Sequence, residues 1–88
     1  MILWDEGKNQ KLRLERNISF DEIAVLILKK DWLAVLDHPL RQNQQIFVIL
    51  LHGYVHAVPF VIDEQANIVL KTAFPSRKLH KQYMKVKS

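Results

Sequence analysis

A chain of 88 residues, of which 49% are apolar, can build one compact core, so we expect a single domain over residues 1–88. The absence of cysteine excludes a disulfide framework and a thiolate metal site, and it fits a reducing compartment. No apolar run approaches the ~20 residues that cross a membrane, and the N-terminus lacks a signal-peptide pattern. We therefore expect a cytoplasmic protein with no membrane partner.

The net charge of +4 is concentrated at the C-terminal end of the chain. Residues 71–88 contain six basic side chains and no acid, whereas residues 1–70 contain seven basic and nine acidic side chains. A one-sided positive charge attracts polyanions and raises their rate of encounter. A solvated tail that keeps a small protein soluble has the same composition, so both interpretations stay open.

The first third of the chain is predicted to be mainly helical. Residues 2–4 are a short apolar start that suits an edge strand. Residues 5–16 are polar and rich in helix formers, which predicts a mostly exposed helix. Ser19 and Glu22 have the spacing of a capping box, so the apolar residues that follow are predicted to form a second helix ending near residues 29–31.

The rest of the chain is predicted to be mainly strands. The strand signals cover residues 32–36, 45–51, 54–62 and 68–74. His52 and Gly53 predict a tight turn, and Pro59 implies an edge position or a bulge because proline cannot donate to a ladder. A run of helices followed by a run of strands favours an α+β fold. We expect two N-terminal helices packed on a mostly antiparallel sheet of about four strands, followed by a C-terminal basic helix.

The final helix is predicted to begin after Pro75, with Ser76 as its N-cap. Leu79, Tyr83 and Val86 recur with helical spacing on one side, which can pack against the sheet. Three lysines on a different side are predicted to bind nucleic acid: Lys78, Lys81 and Lys85.

Neither a metal site nor a cofactor is predicted. His52 and His56 are four residues apart, which makes a ligand pair on a helix, but a turn and a strand are predicted there. The chain has only two glycines, too few for a loop that cradles the phosphates of a nucleotide.

Cleavage of RNA needs no metal ion when the ribose 2′-hydroxyl attacks the adjacent phosphorus. A base takes the proton of that hydroxyl, an acid protonates the departing oxygen, and cations stabilise the charge on phosphorus. Arginine suits the last role because its fork matches two phosphate oxygens. Four residues of the C-terminal segment are predicted to be catalytic: Arg77, Lys71, His80 and Tyr83.

Each of these residues also has a structural interpretation. A lysine on an exposed helix is more often a solvated charge than a ligand-binding group. Tyr83 shares the packing side of the helix with Leu79, so it is also a candidate for the core. The number of cationic and proton-transferring residues in one short segment is what favours a functional role.

Three passages together resemble the BrnT family of bacterial type II toxin–antitoxin toxins. The first passage has Trp-Asp at residues 4–5 with Lys8 and Asn9, then Ile-Ser-Phe-Asp-Glu-Ile-Ala at residues 18–24. The second is Gln45 with an apolar strand, then Gly-Tyr-Val-His-Ala-Val-Pro-Phe-Val at residues 53–61. The third is Leu-Lys-Thr-Ala-Phe-Pro-Ser-Arg-Lys at residues 70–78, followed by Tyr83.

The resemblance implies a fold similar to RelE ribonuclease toxins and cleavage of mRNA that arrests translation and growth. It also implies neutralisation by a cognate antitoxin, often a ribbon-helix-helix protein, through which the complex would bind operator DNA. Arg77 and Lys78 match the family's basic segment after the last strand, and Tyr83 matches the tyrosine that ends it. Residues 15–17 depart from the family, since Glu-Arg-Asn stands where Lys-His-Gly is common.

Two alternatives to an endoribonuclease toxin stay open. The first is a non-catalytic, toxin-like module that binds nucleic acid or a partner within an autorepressor complex, which the lack of an obvious acid and base pair favours. The second is that the basic helix docks an acidic segment of the antitoxin, a role that is compatible with RNA cleavage.

Overall fold

The computed structural model describes residues 1–84, which form three helices and six short strands. Lys85 and Val86, which were assigned to the two sides of the final helix, lie outside the described residues. In chain order the elements are β1 (Ile2–Leu3), α1 (Glu6–Arg16), α2 (Phe20–Leu28), β2 (Ala34–Asp37), β3 (Gln45–Leu51), β4 (Tyr54–Ile62), β5 (Ile68–Leu70), β6 (Phe74–Pro75) and α3 (Arg77–Tyr83).

The two N-terminal helices begin and end at residues suited to those positions. The Asp5 side chain caps α1 by accepting from the backbone N–H of Lys8 at 3.0 Å. Asn17, with a φ of 54°, ends α1 in the left-handed region that asparagine tolerates. Ser19 and Glu22 form both bonds of the predicted capping box at the start of α2. Both helix predictions are confirmed.

One buried side chain joins α1 to α2. Asn9 is fully buried, and its Oδ1 accepts from the backbone N–H of Phe20 at 2.7 Å. Its Nδ2 donates to Asp21 at 2.9 Å and to Glu6 at 3.1 Å. The hydrogen bonds from Asn9 and then from Arg13 hold the pKa of Asp21 below its ordinary value. Because both polar groups of a buried amide are paired, this joint fixes how the two helices meet.

The sheet is mixed, with the strand order β1-β5-β4-β3-β2, and β6 pairs with β4 beyond the end of β5. β1 runs parallel to β5, and every other pairing is antiparallel. The α+β class and the mostly antiparallel sheet are therefore confirmed. The prediction of about four strands was too low, because β1 joins the sheet and the strand predicted over residues 68–74 is interrupted.

One face of the sheet packs against the two N-terminal helices. Phe47 on β3 and Phe60 on β4 stack there with 4.2 Å between ring centroids. Trp32 was predicted to open a strand, but it packs on Phe47 at 5.2 Å, and β2 begins two residues later. The helices contribute to this core Leu12, Phe20, Ile23 and Ile27, and the segment between them contributes Ile18.

The interruption between β5 and β6 is a bulge opposite Pro59. Pairing is regular on both sides of it, so residues 71–73 face only residues 58–59 of β4, and the strand carries one extra residue. The N–H of Lys71 donates to the Pro59 carbonyl at 2.9 Å. The return bond to the Lys71 carbonyl is missing, because proline has no N–H. The bulge expected at Pro59 is confirmed, although β4 is paired on both sides and is not an edge strand.

The tight turn predicted between β3 and β4 is also confirmed. His52 has a φ of 53° and Gly53 a φ of 79°. Positive φ at both central residues is typical of a type I′ turn, whose twist matches that of the two strands it connects. This hairpin is the longest antiparallel pairing in the sheet, running from Gln45 opposite Phe60 to Leu51 opposite Tyr54.

Among residues 1–84, no helix has both the length and the apolar content that crossing a membrane would require.

We expect Asn9→Ala to lower the free energy of unfolding by about 2–3 kcal/mol, because the N–H of Phe20 and the carboxylate of Asp21 both lose a bonding partner. Urea denaturation followed by circular dichroism measures this loss. The matched control is Gln10→Ala on the exposed side of the same helix, with an expected change below about 0.5 kcal/mol. Equal losses in the two variants would contradict the role given to Asn9.

Candidate nucleic-acid interface

The predicted C-terminal helix is α3, and it starts at the predicted cap. The Ser76 side chain accepts from the backbone N–H of Leu79 at 3.2 Å. The predicted packing side is half-buried at Leu79 and Tyr83, and His80 is half-buried beside them. The cations of α3 are exposed: Arg77, Lys78 and Lys81.

His80 closes the hydrogen-bond ladder of β4 where β6 ends. The N–H of Ser76 donates to the Val55 carbonyl at 3.0 Å, and the N–H of Val55 donates to Nδ1 of His80 at 3.1 Å. The imidazole thus replaces the strand carbonyl that would otherwise accept this bond. Its ring stacks on Tyr54, with 4.0 Å between centroids. Because Nδ1 accepts, the neutral imidazole carries its proton on Nε2, from which it can donate.

Lys71 lies among cations of α1, and the two clefts that it lines include no residue of α3. Its carbonyl, which lacks a ladder bond from Pro59, accepts from Nζ of Lys8 at 3.3 Å. Farther along the bulge, the carbonyl of Ala73 accepts from Nη1 of Arg16 at 2.8 Å. Helix α1 therefore lies along the bulge, and two of its cations are positioned by bulge carbonyls.

The first of the two clefts lies between α1 and the bulge, and we call it the helix cleft. It has a volume of about 290 Å³. Four of its lining side chains are cations and one is a carboxylate, so its charge is strongly positive. The lining residues are Lys8, Lys11, Leu12, Glu15, Arg16, Lys71 and Thr72.

The second cleft lies on the other side of the bulge, against the loop that joins β2 to β3, and we call it the loop cleft. It has a volume of about 350 Å³ and shares Lys8, Lys71 and Thr72 with the helix cleft, so the two are adjacent. Its other lining residues are His38, Arg41, Gln44, Ile46, Pro59 and Phe74.

The loop between β2 and β3 is held by its own hydrogen bonds. The N–H of His38 donates to the Gln44 carbonyl at 3.0 Å, and the N–H of Gln44 donates to the Arg41 carbonyl at 3.2 Å. Nδ1 of His38 accepts from the N–H of Leu40 at 3.1 Å, so the neutral ring has its proton on Nε2. These bonds place Arg41 at the loop cleft on a short, closed segment.

The two clefts present several cationic donors to one region of the surface. A guanidinium has five N–H donors, so the single bond from Arg16 to Ala73 leaves others available to a phosphate. The ammonium group of Lys8 likewise keeps donors beyond its bond to Lys71. Such an arrangement can bind phosphate groups and stabilise negative charge that develops on phosphorus.

Most of these cations were not among the predicted site residues. Lys8, Lys11, Leu12 and Glu15 are spaced as i, i+3, i+4 and i+7, which places them on one side of a helix. That spacing could have identified the cationic side of α1. The sequence contains no comparable signal that this side would meet Lys71.

A separate group of ionisable residues surrounds the turn between β3 and β4. Nε2 of His52 lies 2.7 Å from Oε1 of Glu22. His56 is buried, and its Nδ1–H donates to the Tyr54 carbonyl at 2.9 Å. Burial is the largest cause that lowers the pKa of His56 below its ordinary value of 6.5. The charges of His52 and Arg16 act in the same direction.

No three His, Asp or Glu side chains within residues 1–84 lie together in a group that could hold a metal ion.

Comparison of the chain with protein-family models, with curated proteins and with solved structures finds no match.

We expect the free energy of unfolding to rise as the pH rises towards 6.5, in part because of His56. Its folded pKa is lowered, so below 6.5 the unfolded chain binds this proton more readily than the folded chain does. His56→Asn should flatten this part of the profile, measured as urea unfolding at each pH. The control Gln10→Ala changes no titrating group and should keep the slope. A full slope in His56→Asn would contradict the assignment.

Proposed function

We propose that the chain is the toxin of a type II toxin–antitoxin module, acting in the cytoplasm as a metal-independent endoribonuclease that cleaves mRNA and is neutralised by a cognate antitoxin. The observation that carries the proposal is the concentration of cations around the bulge, where α1, Lys71 and Arg41 line two adjacent clefts. The resemblance to BrnT toxins supplies the reaction class. A cleft lined by cations is suited to the polyanionic backbone of RNA.

In this proposal the helix cleft holds the phosphate that is attacked. Lys8, Lys71 and Arg16 bind its oxygens and stabilise the extra negative charge. Glu15 is the one carboxylate in the lining of that cleft, and it takes the proton of the 2′-hydroxyl. His38, at the loop cleft, donates a hydrogen bond from its Nε2–H to the departing 5′-oxygen, which takes its proton from water. The exposed cations of α3 then serve as a secondary surface for RNA or for an acidic antitoxin segment.

The second candidate is a non-catalytic module that binds nucleic acid within an autorepressor complex. The bonding of two imidazoles favours it: Nδ1 of His38 and Nδ1 of His80 both accept backbone hydrogen bonds. Neither neutral ring therefore presents Nδ1 as a free proton acceptor, and a histidine is the commonest general base. Binding of RNA without cleavage by the purified protein would favour this candidate.

We expect the double variant Lys8→Gln, Lys71→Gln to weaken RNA binding and to reduce its salt dependence. Each lost contact between a cation and a phosphate lowers the slope of log K against log salt by about 0.7 for a single strand, so two contacts lower it by about 1.4. Fluorescence anisotropy with a labelled RNA at several salt concentrations measures the slope.

Two further double variants make this test specific to the clefts. Lys29→Gln with Lys30→Asn removes two charges outside both clefts and should leave the slope nearly unchanged. Lys78→Gln with Lys81→Gln removes two charges from α3 and should have an intermediate effect. If the salt dependence of binding falls more in the α3 variant than in the Lys8, Lys71 variant, the phosphate site is on α3.

We expect Glu15→Gln to lower the rate of RNA cleavage in the presence of a chelator by about 100-fold or more, because the proton acceptor is lost. RNA affinity should stay the same or rise, because the variant removes a negative charge from the helix cleft. Induction in a bacterial host should arrest growth with the wild-type chain and not with the variant. The matched control is Glu64→Gln in the exposed turn before β5. Unchanged cleavage in Glu15→Gln would contradict its role as the base.

A further inference from the structure

The loop cleft differs from the helix cleft in its apolar lining. Beside its cations it contains Ile46, Pro59 and Phe74, whereas the only large apolar side chain of the helix cleft is Leu12. Leu12 is only 7% exposed, but Phe74 is 37% exposed. An exposed aromatic ring next to several cations is the combination found in proteins that bind single-stranded nucleic acid.

The backbone holds Phe74 firmly, although its ring is exposed. It belongs to β6, where it pairs with Ala57 of β4. Two residues further along, the N–H of Ser76 donates a hydrogen bond to the carbonyl of Val55 in β4. The following Pro75 also restricts the conformation of Phe74 to the extended region. The ring therefore lies on a rigid element and not on a flexible loop.

Three cations line the loop cleft together with this ring, each from a different segment of the chain. Lys8 comes from α1, Lys71 from the bulge and Arg41 from the hydrogen-bonded loop between β2 and β3. Gln44 lines the same cleft, and its side-chain amide can donate to or accept from the edge of a base. The cleft thus contains cations that can bind a phosphate, an aromatic ring that can stack on a base and an amide that can hydrogen-bond to the edge of the base.

We propose that the loop cleft binds one unpaired nucleotide, with its base stacked on Phe74 and its phosphates bound by Lys71 and Arg41. The proposal rests on the proposed function and adds to it a preference for single-stranded RNA. A base in a duplex is stacked between its neighbours and cannot lie on Phe74. Lys8 and Lys71 line both clefts, so one phosphate of this nucleotide can also be the phosphate held in the helix cleft. The nucleotide in the loop cleft is then next to the site of cleavage.

The test compares Phe74→Leu with the wild-type chain in binding to a labelled single-stranded RNA and to a duplex of the same sequence. Loss of one stacked base should weaken single-strand binding by about 5- to 100-fold. The salt slope should not change, because no charge is removed. Arg41→Gln should instead lower the slope by about 0.7. Leu40→Ala, which shortens an exposed side chain of the same loop outside the cleft, is the control.

Three results would overturn the proposal: equal single-strand affinity in Phe74→Leu and the wild type, binding of the duplex as tight as that of the single strand, or a Phe74→Leu loss matched by Leu40→Ala. Phe74→Trp keeps a stacking face and should retain the affinity, so it tests the proposal if Phe74→Leu proves unstable on thermal melting. A single-stranded DNA of the same sequence identifies the ligand. Tighter binding of RNA supports RNA as the ligand, and equal or tighter binding of DNA is a fourth result that would overturn the proposal.

Failure of the proposed function is distinguishable from failure of this inference. Binding that depends on Phe74, with no cleavage of RNA, would remove the ribonuclease activity and keep the nucleotide site. If Phe74→Leu changes neither RNA cleavage nor single-strand affinity, the ribonuclease activity is kept and the nucleotide site is removed.

Discussion

The hydrogen bond from Nζ of Lys8 to the carbonyl of Lys71 exists because β4 has a proline at position 59. In an antiparallel ladder the residue opposite Lys71 would return a hydrogen bond to that carbonyl, and Pro59 has no N–H with which to do so. A backbone carbonyl in a partly buried position needs a donor, and the ammonium group of α1 supplies one. This side-chain donor, together with the bond from Arg16 to Ala73 and the buried Leu12, holds α1 beside the sheet, where both clefts form.

The bulge and the buried Asn9 both hold α1 in place. Asn9 attaches α1 to the start of α2, while Lys8 and Arg16 attach it to the segment between β5 and β6. The cationic side of α1 is therefore oriented by two sets of hydrogen bonds that involve different parts of the chain. Preorganised cations are more effective than mobile ones, because their orientation costs no further free energy when charge develops on a bound phosphate.

Local signals allowed much of the fold to be predicted from the sequence. The capping box at Ser19, the cap at Ser76 and the turn at His52–Gly53 each act over a few residues, and each is present in the structure. The split of the last strand was missed, because a bulge depends on which residue stands opposite. Pro59 indicated a bulge in its own neighbourhood, and only the pairing of β4 with residues 71–73 shows where the extra residue falls.

The candidate site was harder to predict, because charge along the sequence is a poor guide to charge on the surface. The C-terminal excess of lysine and arginine predicted a site on α3, and the cations of α3 lie outside the two clefts. In α1 the basic residues are interspersed with acids, so a local sum of charge gives little signal. The helical period separates them, and the contact between Lys8 and Lys71 spans 63 residues that no short-range pattern connects.

The same long separation determines when the two clefts can form during folding. The hairpin of β3 and β4 needs only neighbouring residues, whereas both clefts need α1 from the beginning of the chain and the bulge from near its end. Contacts of high sequence separation form late in folding, after their loop entropy has been offset by other contacts. A nascent chain still attached to the ribosome before residue 74 has been made therefore has neither cleft.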